Sequence, residues 1–148
     1  MSRLLPDIEG RSLLVADLIG TVAMFVVLIL LAVSNADAIT ILNLIVSGAL
    51  FIGGCIGFGI GFFRAVGRSR TEQIDMAGLF YLTDSAPKET QRVFMGLWFA
   101  QIAIAAVSIA VSRPFPFEVM APLWGIGIIA WWASSYATFP PRDDSSHG

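Results

Sequence analysis

Histidine, cysteine and charge are all scarce in this chain. Its 148 residues include one histidine and one cysteine, too few for a metal centre unless several carboxylates gather, and none cluster in the sequence. His147 stands at the far end of the terminal string DDSSHG, read as a mobile tail, so nucleophile–base pairs lack a base. Cys55, set among glycines and isoleucine, reads as a small packing residue. The chain is therefore read as a non-enzyme without cofactor or metal. Charged residues are 14% of the total, against about 25% in a typical soluble domain. A formal net charge of -2 with no basic stripe leaves nucleic-acid binding without a footprint.

What the chain has in quantity is apolar length. Hydrophobic residues make up 56%, and they fall in uncharged or nearly uncharged windows of the roughly 20 residues that a bilayer core demands. Four spans are marked: 13–33, 39–63, 93–111 and 117–139. Each is read as α-helix, because backbone amides in lipid must be satisfied within the segment and four strands cannot close a barrel. The fold class is all-α: a polytopic membrane protein of two helical hairpins, one domain over 1–142, with a disordered tail at 143–148.

Orientation follows the cations. Arg3, Arg11, Arg64, Arg68, Arg70, Lys88, Arg92 and Arg142 lie on one side of the four spans and Arg113 alone on the other. This places both termini and the central connection on the cytoplasmic face of the cell membrane. Arginines there suit anionic headgroups, so membrane lipids are expected partners. Ala36-Asp37-Ala38 after the first apolar run mimics a signal cleavage site. Asp7 and Glu9 offset Arg3 and Arg11, however, and the run is long enough to span.

The stretch GGCIGFGIGFF (53–63) holds five glycines, each costing a soluble helix about 1 kcal/mol. A phosphate loop is excluded, since no GxxxxGK pattern is present. Ala49, Gly53, Gly57 and Gly61 recur every four residues, a small-residue face along which another helix backbone can come close. Whether that helix belongs to this chain or to another protein stays open, as does a pore or hinge role.

The connection 64–92 carries a capping-box pattern, Ser69 to Glu72, before TEQIDMAGLFYL, which suggests a short helix lying in the cytoplasmic interface. Asp84 or Ser85 can then cap the next helix, with Pro87 in its first turn. It serves either as a plain connector or as a docking surface. Among residues inside the spans, Asp17 is singled out as an acid about 6 to 8 Å from the span end. It is either a proton-coupling group or a carboxylate paired with Arg64, Arg92 or a backbone donor. Asn43, Ser47, Gln101, Ser108, Ser134 and Ser135 can bond between helices.

SAPKETQR before the third span, RPF at 113–115 and the ending APLWGIGIIAWWASSYATFPPR together resemble a family of small, uncharacterised actinobacterial membrane proteins. The likeness covers residues 79 to 142 and implies a four-helix protein with no assigned catalytic residues, in a setting suited to envelope lipid-transport machinery. Two functions are carried forward. One is an accessory or assembly subunit of a larger membrane complex or homo-oligomer. The other is a small proton-coupled transporter using Asp17, similar to the four-helix multidrug exporters in placing an acid in the first helix.

Overall fold

The computed structural model describes residues 9–34, 36–111 and 117–143. The RPF string, His147, Arg3, Asp7, Arg113 and all of the 143–148 tail but Asp143 lie outside the described residues. Five α-helices account for most of the chain: α1 (Arg11–Val33), α2 (Asp37–Arg68), α3 (Met76–Phe80), α4 (Lys88–Val111) and α5 (Leu123–Tyr136). A 3-10 turn at Phe117–Met120 precedes α5. Four of these segments, α1, α2, α4 and the 3-10 turn with α5, are long and apolar enough to cross a membrane.

The helices overrun the expected spans. α2 continues to Arg68, five residues past Phe63, and α4 starts at Lys88, ahead of Val93. The first extension, RAVGR, is amphipathic and the second, KETQR, polar; both stay helical because nothing stops them until Ser69 in one case and Pro87 in the other. The fourth span is not one continuous helix. Pro122 has no N–H to donate and its ring clashes with the carbonyl four residues back, so a 3-10 turn ends at Met120 and an α-helix restarts at Leu123.

α5 is the centre of the bundle. Of the most apolar window in its span 56% is buried, against 22–33% in the other three, and its closest neighbour by far is α2. α1 packs mainly on α4. The strongest pairings thus join helices distant in sequence. Leu14, Phe94, Ile128, Ile129 and Trp132 form the main core with Leu79 and Leu82, and a second cluster gathers Met24, Leu28, Leu50, Ile104 and Ala121. Outward faces carry Ile19, Phe25, Ile45, Ile52, Phe63 and Val107.

The connection differs from expectation. Ser69 caps the end of α2 and bonds its hydroxyl to the Val66 carbonyl, while Glu72 contacts Arg68, so no capping box forms. The cap of α3 is Asp75, whose Oδ2 accepts from Gly78 N at 3.0 Å. α3 doubles back along the bundle and packs against α5. Its Phe80 stacks on Phe58 with ring centroids 5.5 Å apart; Phe58 is ten residues, or about 15 Å, before Arg68. Leu82 and Asp84 then take left-handed backbone conformations at φ 54° and 55°, and Leu82 is fully buried.

Candidate functional site

Three places carry the chemistry of this fold: the seam between α2 and α5, a polar cluster around Asp17, and the end where connection and C-terminal segment meet. The seam rests on absent side chains. A Cβ on Gly54 would stand 2.5 Å from the Leu123 carbonyl group, on Gly57 3.0 Å from that of Gly127, and on Gly61 2.6 Å from the Ala130 carbonyl carbon. Gly53 instead faces the Trp124 ring, 2.6 Å from where its Cβ would be. Gly53, Gly57 and Gly61 therefore meet a helix of the same chain. Ala49 does not: it is exposed, and Gly54, off the four-residue stripe, takes a central place. An α-helix repeats every 3.6 residues, so steps of four drift around it. The buried face runs Asn43, Ser47, Leu50, Gly54, Gly57, Gly61, Ala65.

Asp17 is wholly buried. Its Oδ1 accepts from Gln101 Nε2 at 2.7 Å, and the same nitrogen donates to Thr21 Oγ1 at 2.9 Å. Thr21 in turn donates to the Asp17 carbonyl at 2.9 Å, and Gln101 Oε1 accepts from Gly125 N at 3.1 Å. One glutamine thus fastens α4 to α1 and to the first turn of α5, whose amides have no partners within their own helix. Asp17 Oδ2 has no hydrogen-bond partner among the described residues. The expected arginine pair does not form. Arg64 Nη1 donates to Ser135 Oγ, and Arg92 is exposed. Both belong to the far ends of their helices, whereas Asp17 sits six residues into α1, opposite the middle of α4.

Of the uncharged polar residues expected to bond between helices, Gln101 and Ser135 alone do so among the described residues. Ser47 bonds to Asn43, and Ser108 and Ser134 bond back to carbonyls of their own helices. Sequence reasoning passed over Glu118, which is 1% exposed on the 3-10 turn. It stands at the edge of an apolar run, where an acid looks like a headgroup residue until the turn folds inward.

At the third place, two strings separated in sequence come together. Gln73 N donates to the Pro140 carbonyl at 2.8 Å, Arg142 N to the Thr71 carbonyl at 2.9 Å, and Thr138 N to the Ser85 carbonyl at 2.8 Å. Ser85 Oγ donates to the Gly78 carbonyl at 2.6 Å, and Gln91 Nε2 to that of Tyr81 at 3.0 Å. The carbonyl groups of a loop packed into the bundle are thereby satisfied by SAPKETQR and TFPPR. Ser85 spends its hydroxyl here and not on capping α4. Arg68 donates to the carbonyls of Ala133, Ser134 and Ala137 and lies 5.3 Å from the Phe139 ring centre. A cation so placed completes the C-terminal carbonyls of α5 and favours its dipole. Gly10, at φ 70°, admits the Tyr136 and Trp132 rings beside the start of α1, and Trp132 Nε1 donates to the Glu9 carbonyl at 2.6 Å.

Among the described residues no three of His, Cys, Asp and Glu gather as a metal site. No family model, curated protein or solved structure matches the chain.

Proposed function

We propose that this protein is a non-catalytic integral membrane subunit. Its four apolar segments cross the cell membrane as two hairpins, with both termini and the connection cytoplasmic, and it fastens to a larger membrane complex or to a second copy. The orientation rests on the eight-to-one cation bias. The observation that carries the subunit reading is that α2 has two small-residue faces and fills one. Gly54, Gly57 and Gly61 are taken up by α5, whereas Gly48 and Gly59 have no described residue within 4 Å of an added Cβ, and Cys55 is exposed. At 100° per residue Gly48, Cys55 and Gly59 share one face, a groove in which a further helix can pack in lipid.

Extraction from native membranes in a mild detergent, followed by mass spectrometry of co-purifying chains, tests this. A stoichiometric partner or a dimer is expected, lost in Gly59→Leu while the monomer stays folded. Recovery of a monomer from wild type would overturn the proposal. Labelling of cysteines placed at Ser34 and Arg70, in a Cys55→Ala background, checks the orientation: Arg70 should react from the cytoplasmic side and Ser34 from the opposite side.

The second reading, a small proton-coupled transporter, is favoured by the Oδ2 of Asp17, buried without a partner among the described residues. Asp17→Asn should then abolish flux driven by a pH gradient across vesicles at unchanged protein yield. Unchanged flux, or none in wild type, retires it.

A further inference from the structure

An apolar groove runs between α2 and α3. Phe58, Phe62, Val66, Ile74, Met76 and Phe80 line it, and it encloses about 310 Å³. From Ser69 to Phe58 it follows α2 for eleven residues, about 16 Å. Four of these six residues keep much of their surface uncovered by protein: Met76 is 70% exposed, Phe62 49%, Val66 48% and Phe58 39%, and Phe58 and Phe80 also line a second apolar hollow beside Trp98 and Ile126. Ser69 and Ile74, at one end of the groove, also line a neighbouring polar pocket of about 480 Å³ with Glu72, Asp75, Pro140 and Arg142.

The charges in that pocket are of both signs and partly uncommitted. Arg142 spends Nη1 on the Ser69 carbonyl at 2.9 Å, which leaves the rest of its five-donor fork. Arg70, next to Ser69, is exposed and makes no ion pair among the described residues. Asp75 uses Oδ2 for the α3 cap. Glu72 Oε2 sits 2.6 Å from Arg68 Nη2 as a charge contact without the alignment of a hydrogen bond. A guanidinium beside carboxylates, at the open end of an apolar groove, complements a headgroup with a phosphate and a cation. Among the described residues no aromatic ring lines the polar pocket, which leaves it without the cage that a quaternary ammonium prefers. Carboxylates accepting hydrogen bonds suit a primary ammonium with its three donors.

We propose that this composite cleft binds one phospholipid with a zwitterionic, primary-amine headgroup. An acyl chain fills the α2–α3 groove, the phosphate meets Arg142 and the ammonium meets Asp75 and Glu72. The proposal rests on the reading above that the helices cross the bilayer with this end at a headgroup layer.

Native mass spectrometry tests it, on full-length protein offered equimolar phosphatidylethanolamine, phosphatidylglycerol and phosphatidylcholine. One phosphatidylethanolamine per chain is expected, about tenfold over the other two, the ratio that one charge-assisted pair supplies. Asp75→Asn keeps an oxygen for the Gly78 amide and removes the charge; it should erase the preference while a lipid is still retained. Val66→Trp, at a half-exposed position, should fill the groove and abolish retention of all three. Unchanged melting of both variants shows that folding is intact. Equal retention of the three lipids by wild type, or full retention by Val66→Trp, overturns the proposal. An alkaline wash separates the two readings: release from membranes overturns the spanning reading and this one with it. A chain that stays in the membrane without lipid selectivity overturns only this one.

Discussion

Arg68 Nη2 lies 2.8 Å from the carbonyl oxygen of Ala137, so the last residue of α2 closes the end of α5. The same guanidinium reaches Ala133 and Ser134 and the Glu72 carboxylate. Arg68→Ala should destabilise the bundle by about 2 kcal/mol, the usual worth of hydrogen bonds to a charged group. Arg68→Lys should recover less than half, because an ammonium cannot span three carbonyls in one plane. Thermal unfolding in detergent reads both.

Two glycines on α2, two residues apart, should respond with opposite signs. Gly61→Ala drives a methyl against the Ala130 backbone and should lower the melting midpoint. Gly59→Ala meets nothing and should raise stability by up to about 1 kcal/mol through helix propensity. Equal effects on monomer unfolding would mean that the seam tolerates separation of α2 from α5.

Gln101→Leu removes the donor to Asp17 and the acceptor for the Gly125 amide. The groups left behind are buried, and a loss of about 2 to 3 kcal/mol is expected. Asp17→Asn keeps an acceptor for Gln101 and should cost less than about 1 kcal/mol. A double-mutant cycle between Asp17→Leu and Gln101→Leu should show coupling well above the few tenths seen for independent sites.

Removal of residues from Pro140 onward deletes the partners of Gln73 N and of the Thr71 and Ser69 carbonyls. With two backbone bonds gone at about 1 kcal/mol each, trypsin should cut after Arg70 about thirtyfold faster in detergent solution. An unchanged cleavage rate would show that the connection holds its place without the C-terminal segment.

The sequence makes the helices plain and their partners obscure, for a physical reason. Apolar length is a property of one segment, so α1, α2 and α4 stand out before any packing is known. Contacts are properties of two segments. Nothing local to Asp17 names Gln101, 84 residues away, and nothing local to α2 says that α5 will lie against it. The glycine face was legible in kind but not in register: a count in fours includes Ala49, whereas the helix's own period selects Gly54. Glu118 was hidden by its position at a span edge, and the break at Pro122 by the apolar residues around it. SAPKETQR and TFPPR could be seen as distinctive strings; that they hold each other follows only from the return of α5 to the end where α2 stops.

That meeting has a consequence in time. Arg142 is 73 residues beyond Ser69, and at the usual pace of about 5 to 20 residues per second the ribosome needs roughly 4 to 15 s to cover the interval. Until then the backbone groups of the connection have no protein partners from the C-terminal segment. The loop therefore spends its first seconds without these partners, and closes last.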